Sequence, residues 1–407
     1  MTVAGLERGA AWLVLAFLLV GANLIGNLSA YAYAVVLLIM LPVLLWDKIM
    51  RARMWRPAAL LYALAFLLLL LAFALSARQV SDLQYAGNFV FFLLFIPAVA
   101  LLSSNAGVRA SEQFAWLALI AAAAALGVGF YEVHIQGLRR AVGFVNLTNP
   151  FAMMSVMLGF LSLIGVFARK DLLRWAFLLG PIFGGGAAIL AGTRAAMVMM
   201  ACLSVLFVLY SAFTLKGRER NIVFAGTALL LLAAIAGTVF FASNLRAFSA
   251  FETLARFFGQ GEAIDNSTEI RLNLYYGGFR AFLDSPIFGH GWWRHVEAAH
   301  PYMTDYVREH TQRWSHLHND YINFAALAGV MGLASYVIYM SVPVVGAVKA
   351  PRDSQYAPRL FGGLVLATCY AVFGLFDVSF SMEILLGFGP ICAAALLGFC
   401  VDEPPGS

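Results

Sequence analysis

The chain has little charge for its length. Charged residues make up 12% of its 407 residues, whereas soluble proteins carry about 25%. Hydrophobic residues make up 62% and form repeated runs long enough to cross about 30 Å of hydrocarbon. A soluble protein with one large apolar core is excluded, because domains of this size split rather than enlarge a single core. The sequence therefore predicts an all-α polytopic membrane protein.

Cysteine pairs and nucleotide-binding motifs are also missing. The sequence has no P-loop, no glycine-rich dinucleotide turn, no GxSxG and no HExxH. The net charge of +5 does not indicate nucleic-acid binding, because the basic residues lie in short segments between apolar runs. Neither disulfides nor a cysteine metal site is expected, since all four cysteines lie inside apolar runs: Cys202, Cys369, Cys392 and Cys400.

Twelve apolar segments are predicted to cross the membrane, and one long polar segment follows the ninth. The chain thus divides into residues 1–242, 243–317 and 318–407. In the polar segment, residues 245–258 place aromatics on one face and predict a helix that either packs on the bundle or lies at the membrane surface, the interpretation that we favour. The twelve spans are residues 10–26, 30–46, 58–76, 88–104, 114–131, 150–168, 175–192, 195–213, 222–242, 318–346, 360–377 and 384–400.

Lysine and arginine predict the orientation of these spans. With the N-terminus in the cytoplasm, fifteen basic residues fall in cytoplasmic segments and four in the opposite short loops. Cytoplasmic loops of membrane proteins carry such an excess. Both termini are therefore expected in the cytoplasm, and the long polar segment outside it, in the periplasm of a Gram-negative cell. The four outer basic residues are Arg78, Arg139, Arg140 and Arg194.

Several of the outer arginines are candidate anion-binding residues. Arg194 lies between two apolar runs in AGTRAAM, where it either caps two helices or reaches for phosphate or carboxylate oxygens. Arg139 and Arg140 form a second candidate pair. Arg271 and Arg280 lie nine positions apart on one predicted helix, about 180° out of phase, so they cannot both face one site.

Histidine is concentrated in the polar segment, where six of seven lie between residues 290 and 318. His316 and His318 flank the start of the tenth span. They either cap that helix at the membrane interface or include a general base. Asp377, near the outer end of the eleventh span, either ends a helix in water or orients a histidine. A zinc site is the competing hypothesis, weakened by the lack of a histidine pair at i, i+4 spacing.

His295 and His300 are predicted to lie at the rim of the site rather than to bind a metal. They follow Trp292 and Trp293, which suit sugar stacking or the membrane interface. Several outward arginines with one histidine suit a donor that carries its own leaving-group charge. Pyrophosphate is such a group, because arginines stabilise its developing charge while a histidine deprotonates the attacking hydroxyl.

Four segments resemble the bacterial O-antigen ligase family, within the superfamily shared with O-antigen polymerases and protein O-oligosaccharyltransferases. GTRAAM, with Arg194, resembles the family's Ser/Thr-Arg segment. The stretch from Arg271 through SPIFGHGWW resembles its arginine helix and Pro-x-x-Gly-x-Gly turn. HNDYINFAALAGVMGL, with His318 and Asn319, resembles its His-Asn helix start, and RAVGFVNLTNPFA, with Asn149, its Gly-Phe and Asn segment.

This resemblance implies a GT-C-like fold and a metal-independent, inverting glycan transfer. The donor would be undecaprenyl pyrophosphate-linked glycan, and the acceptor the lipid A–core oligosaccharide at the periplasmic face of the inner membrane. His318 would be the base, supported by Asn319 and Asp377, with His316 as a second candidate. The donor diphosphate would be bound by Arg194 and Arg271, together with Arg139, Arg140 and Asn149.

Three other functions remain open at this point. An O-antigen polymerase or a protein O-oligosaccharyltransferase would use the same donor with a different acceptor. A transporter of lipid-linked sugars is the alternative from another class. It is disfavoured because transporters show repeat symmetry and mid-bilayer charges, whereas the polar groups of this chain concentrate at one face.

Overall fold

A computed structural model of the chain describes residues 3–227 and 266–402. Throughout these residues the regular structure is helical, without a β-strand. Ten of the helices are long and apolar enough to cross a membrane, so the predicted all-α polytopic class is confirmed. These ten are α1 (Gly5–Ile25), α2 (Asn27–Trp46), α3 (Pro57–Ser76), α4 (Val80–Ser103), α5 (Ala110–Ile135), α6 (Thr148–Ala168), α7 (Leu172–Ala191), α8 (Arg194–Thr214), α10 (Asp320–Lys349) and α11 (Tyr356–Phe373).

Two further helices complete the numbered set. The more polar helix α9 (Asn266–Asp284) belongs to the predicted polar segment, and the shorter apolar helix α12 (Glu383–Phe399) corresponds to the twelfth predicted span. Most of the ninth predicted span, from residue 228 onward, lies outside the described residues. The predicted surface helix over residues 245–258 also lies outside them. A count of twelve spans therefore stays a prediction. Short helices lie at Lys48–Met54, Gly143–Val145, His295–Ala299, His300–Tyr302, Asp305–Thr311 and Ser379–Ser381.

Contacts between helix ends sort the loops into two groups. At one end of the bundle, segments predicted to be cytoplasmic contact each other: Arg169 with Glu112, Arg56 with Leu397, and Gln355 with Ser111. At the opposite end, segments predicted to be external do so: Arg140 with Ala191, Arg294 with Ser76, and Asn149 with Asp377. The grouping is the one that the pattern of basic residues predicts for alternating spans.

Helix α6 is the most buried of the spans, and it packs against α5, α7, α8 and α11. Helix α10 packs against α3, α9 and α11. Between these helices the ring of Phe380 lies 4.7 Å from Tyr339, 5.0 Å from Phe324 and 5.4 Å from Tyr336. The Tyr336 hydroxyl donates to the carbonyl of Tyr370 at 2.8 Å, so this polar group is satisfied in the core. The aromatic cluster fixes the turn after α11.

Helix α10 is broken in its first half. Ala328 (φ −141°) and Gly329 (φ +61°) leave the helical conformation, and the turn over residues 286–291 inserts there. Its amides donate to the freed carbonyls, from His290 to Ala326 and from Gly291 to Leu327, both at 2.9 Å. The backbone groups that the break exposes are thus bonded by the turn, which makes irregular backbone tolerable inside a membrane protein.

Two glycines permit this insertion. Gly329 and Gly289 (φ +64°) have left-handed backbones, which glycine adopts without steric cost. A Cβ atom on Gly329 would lie 2.4 Å from the carbonyl carbon of Ile287, and one on Gly289 would lie 2.4 Å from the nitrogen of Ala328. The Pro-x-x-Gly-x-Gly turn and the glycine of α10 therefore form one interlocked unit, although about forty residues separate them in the chain.

Candidate functional site

The site forms around the residue that precedes α10. Asn319 is the N-cap of this helix, its Oδ1 accepting from the Ile322 amide at 3.0 Å. Its Nδ2 donates to the carbonyl of Leu375 at 3.0 Å. His318 has φ +52°, an uncommon conformation for a residue other than glycine. Such strain persists where surrounding contacts hold it, and it clusters at functional sites.

The His318 imidazole is paired with a carboxylate from the turn after α11. Its Nδ1 lies 2.9 Å from Oδ1 of Asp377. Because an ionised carboxylate only accepts hydrogen bonds, the proton belongs on Nδ1 and the lone pair on Nε2. Nε2 makes no hydrogen bond to any described residue, and the side chain is 21% exposed. The ring can therefore accept a proton at Nε2.

Asp377 is held by three donors. The Asn149 side-chain amide donates to its Oδ2, and the Val378 amide donates to its Oδ1 at 2.9 Å. Burial raises the pKa of this carboxyl. The opposing effects are larger: His318 lowers the pKa by its hydrogen bond and charge, and Asn149 and Val378 lower it by their hydrogen bonds. The pKa of Asp377 therefore lies below the usual range. The carboxylate stays ionised near neutral pH and can stabilise an imidazolium.

His316 packs at the side of this pair. Its ring centroid lies 4.4 Å from that of His318, and the ring planes are nearly perpendicular. Its Nδ1 is buried without a hydrogen-bond partner among the described residues. Burial, and next the repulsion from His318, lowers the pKa of His316 to about 4. His316 is therefore neutral at physiological pH.

The same residues could hold a metal ion. Ligand atoms of His316, His318 and Asp377 lie within 4.8 Å of one another, and two imidazoles with a carboxylate form a ligand set that zinc uses. An ion held by Nδ1 of His318 would have to displace the hydrogen bond with Asp377. The geometry thus gives the zinc hypothesis support that residue spacing did not. A chelation experiment distinguishes a zinc site from a metal-free pair of His318 and Asp377.

Three residues predicted to bind the diphosphate have different surroundings. The Asn149 amide holds Asp377, as described above. Arg140 donates from Nε to the carbonyl of Ala191 and from Nη2 to that of Gly192, both at 2.7 Å, so it caps the end of α7. Arg139 is exposed and makes no hydrogen bond or ion pair with the part of the chain that is described. Diphosphate binding by these residues stays a prediction.

Arg194 is the exposed first residue of α8. The reversal before it consists of Gly192, in a left-handed conformation that caps α7, and the buried, extended Thr193. The side chain thus lies at a helix N-terminus, where the backbone dipole also favours anions.

Arg271 lies on α9, half-buried and one turn before Tyr275. The Tyr275 hydroxyl donates to the backbone carbonyl of His318 at 2.9 Å. Burial raises the pKa of this hydroxyl, and the charge of Arg271 opposes the rise. Arg271 thus lies within electrostatic reach of the residue that contacts the His318 backbone. Arg280 lies elsewhere, over the ring of Tyr302.

Three residues of the site were not predicted from the sequence: Tyr275, Asp320 and Asn323. The buried Asp320 accepts from the Ser379 amide at 3.0 Å, and Asn323 accepts from the Leu317 amide at 3.1 Å. Asp320 fastens the start of α10 to the turn that carries Asp377, and Asn323 fastens Leu317, which precedes α10, to that helix. Two signals could have identified them: Tyr275 follows Arg271 at i+4 spacing, which shares a helix face, and HNDYIN is an unusually polar helix start.

The prediction that His295 lies at the rim is wrong. His295 is 1% exposed, with Nδ1 2.7 Å from the carbonyl of Trp292 and Nε2 2.9 Å from Oδ1 of Asn323. Burial lowers its pKa to about 4. The turn that inserts into α10 draws the following residues against that helix, which a local reading of aromatic neighbours could not anticipate. His300 is half-buried.

Comparison with known families identifies part of the chain. Residues 179–337 match the family described as O-antigen ligase, a match that includes Arg194, Arg271 and His318. No sequence among curated proteins matches the chain. The match supports glycosyl transfer of the ligase or polymerase type in lipopolysaccharide biosynthesis. Residues 179–337 of this membrane protein are therefore similar to the O-antigen ligase family.

Proposed function

We propose that this protein is an O-antigen ligase. It transfers a glycan from undecaprenyl pyrophosphate to the lipid A–core oligosaccharide at the periplasmic face of the inner membrane. The observation that carries the proposal is the pairing of His318 with Asp377, which leaves Nε2 of the imidazole available beside a helix that bears Arg271. The family match supplies the class of reaction.

In the proposed reaction Nε2 of His318 removes the proton from an acceptor sugar hydroxyl. The hydroxyl oxygen bonds to the anomeric carbon of the donor, while the bond from that carbon to the diphosphate oxygen breaks. The electron pair leaves with undecaprenyl pyrophosphate, and this single displacement inverts the anomeric centre. Asp377 stabilises the imidazolium that forms. His316, neutral and adjacent, is the second candidate for the base.

The proposal assigns the leaving-group charge to arginines. Guanidinium groups bind phosphate oxygens in a two-point geometry and keep their charge at all relevant pH values. Arg194 and Arg271 take this role, and the exposed Arg139 is a further candidate at the same end of the bundle. No cofactor is invoked, because these cations can supply the positive charge that a divalent ion supplies in other phosphate chemistry.

Reconstituted transfer tests the proposal. Purified protein receives undecaprenyl pyrophosphate-linked glycan and lipid A–core acceptor without nucleotide, and the product is resolved on a gel. We expect His318→Ala to lower the rate about 10²- to 10⁴-fold, the usual contribution of a general base. Full activity of this variant would refute the assignment of the base.

The arginines have a matched control on α9. Arg271→Ala and Arg194→Ala are expected to abolish transfer while the protein still inserts and purifies normally. Arg280→Ala removes the same charge from the helix that bears Arg271, but at a position that contacts Tyr302, and it is expected to retain activity. Equal losses in Arg271→Ala and Arg280→Ala would point to a general charge effect rather than to diphosphate binding.

Three outcomes would favour the other functions. A deletion strain with shortened polymer chains indicates a polymerase, whereas loss of all polymer from the core with accumulation of lipid-linked polymer indicates the ligase. Absence of transfer in vitro with an export defect in cells indicates a transporter. Activity that is lost on chelation and restored by zinc indicates a metal site at His316, His318 and Asp377.

A further inference from the structure

A cavity of about 520 Å³ lies beside the proposed site, at the external end of α5. It is formed by that helix end and by the loop over residues 136–146. Its size is typical of pockets that bind small ligands. The lining combines apolar groups, including Val128 and Phe144, with Tyr131, Glu132, Gln136 and Asn146. None of these residues takes part in the reaction proposed above.

Glu132 organises the polar side of the cavity. Only 8% of this residue is exposed, and its Oε2 accepts from the amides of Val142 and Gly143, at 2.8 and 2.9 Å. These bonds fasten the loop to α5. The second carboxylate oxygen, Oε1, makes no hydrogen bond to a described residue, and neither do the side-chain amides of Gln136 and Asn146. Three polar side chains therefore have hydrogen-bonding capacity left for a ligand.

The composition of the lining favours a neutral sugar. A carboxylate oxygen and two amides match vicinal hydroxyls, while Tyr131 and Phe144 offer aromatic surface to the C–H face of a sugar ring. A phosphate would be repelled by the charge of Glu132. A prenyl or acyl chain would strip water from three polar groups without replacing its hydrogen bonds, which is costly.

The cavity is connected to the proposed base by a short stretch of chain. Asn146 lines the cavity, and three residues later Asn149 donates to the carboxylate that holds His318. Three residues span at most about 11 Å. An oligosaccharide that reacts at His318 can cover that distance with a few sugar rings.

We propose that this cavity is a glycan subsite. It binds neutral sugar units that neighbour the reacting unit, and so selects one of the two substrates by its sugar sequence. The inference rests on the proposed glycosyl transfer. Either the acceptor core or the donor glycan supplies these units, since the recognition chemistry is the same, and the experiment below assigns the source.

The test removes the two amides together. Asn146 has φ +59°, so glycine keeps its backbone conformation, and the variant is Gln136→Ala with Asn146→Gly. Losing two hydrogen bonds of about 0.5–1.5 kcal/mol each predicts a rise in KM of roughly 5- to 150-fold for one substrate, with kcat within about twofold. Gln113→Ala is the matched control, an exposed glutamine on the same helix at the opposite end of the bundle.

Substrate truncation makes the test specific. The substrate whose KM rises is the source of the bound sugars. Once that substrate is shortened to its reacting sugar, native and variant proteins should become equal. Unchanged KM values for both full-length substrates would overturn the subsite. So would an equal loss with truncated substrates, or an effect that follows the length of the prenyl chain.

Direct binding separates this inference from the proposed function. Deacylated core oligosaccharide and glycan released from the donor are each added to protein in nanodiscs, and saturation-transfer NMR detects contact. We expect binding to the native protein and to His318→Ala, and loss in the double variant. Binding without any transfer by the native protein would refute the proposed function alone. Transfer combined with undiminished binding in the double variant would refute the subsite alone.

Discussion

The chemistry of His318 depends on side chains from distant parts of the chain. Asp377 reaches it from the turn after α11, and Asn149, at the start of α6, holds Asp377. The residue types indicated a base and an acid, and the segment resemblance indicated His318 in particular. The chain of contacts from Asn149 through Asp377 to His318 could not be predicted, because Asn149 and Asp377 are 228 positions apart and nothing in the local sequence indicates that they meet.

The first prediction concerns the proton on the imidazole. In Asp377→Asn an amide can donate to Nδ1 of His318, which moves the ring proton to Nε2 and removes the lone pair from the reacting side. We expect the transfer rate at saturating substrate to fall about 10²- to 10⁴-fold with the fold intact. Asn149→Ala removes one donor to the carboxylate and should lower the same transfer rate by less, about tenfold. A rate within twofold of native in Asp377→Asn would contradict this arrangement.

A second residue-scale prediction concerns acid stability. The folded protein holds the pKa of His316 at about 4, below the ordinary value of about 6.5, so the unfolded chain binds more protons between those values. Stability is therefore complete above about pH 6.5 and declines as the pH falls toward 4. Thermal unfolding in detergent from pH 7.5 to 5 should show a smaller decline for His316→Asn than for the native protein.

His295 contributes to the same decline because its pKa is also about 4, so the His316 variant should reduce the pH dependence without removing it. Identical pH profiles for the native protein and His316→Asn would show that His316 is solvated in solution.

At the scale of elements, the helices were largely predictable and their irregularities were not. The tenth span was predicted as continuous over residues 318–346, since its apolar run is uninterrupted. The break at Gly329 arises from the turn over residues 286–291, which replaces the helical hydrogen bonds. Proline and glycine marked that turn in the sequence, but its partner could be identified only from the fold.

The interlocked glycines give a third prediction. Gly329→Ala forces a left-handed conformation on a residue with Cβ and drives that atom into the backbone of Ile287. We expect a loss of about 2 kcal/mol or more in stability, measured by thermal or denaturant unfolding, with transfer activity reduced in parallel.

Gly87→Ala is the matched control, because a Cβ atom there has no neighbour within 4 Å and the backbone φ is not positive. Gly289→Ala should resemble Gly329→Ala. The two losses should be less than additive in the double variant, since either one disrupts the same insertion. Strict additivity would mean that the turn and the break are independent.

At the scale of the whole molecule, apolar run length was enough to predict the class. Ten of the twelve predicted spans correspond to long apolar helices, with bounds that differ by a few residues. The differences arise where helices extend beyond the hydrocarbon-like run, as α4 does by starting at Val80. Run length carries no information on which helices touch, so the central position of α6 was not predicted.

Orientation supplies the fourth prediction. In a background without the four native cysteines, Gln312→Cys and Lys216→Cys each place a thiol at an exposed position, and the two positions are predicted to lie on opposite sides of the membrane. A membrane-impermeant maleimide should label Gln312→Cys in intact spheroplasts and label Lys216→Cys only after lysis, because the basic residues predict an external polar segment. The reverse pattern would place the proposed chemistry in the cytoplasm and refute the ligase.

The break in α10 also bears on how far the His318 imidazole lies from the hydrocarbon region of the bilayer. The residues from Val330 to Lys349 form a rod of about 30 Å, which by itself matches the hydrocarbon thickness of a bilayer. If those residues span the bilayer, the nine residues from Asp320 to Ala328 extend about 13 Å beyond its hydrocarbon region. The His318 imidazole, which precedes this segment, would then bind the acceptor sugar in an aqueous environment rather than in the hydrocarbon region. A lipid-anchored donor must lift its head group out of the interface to reach it.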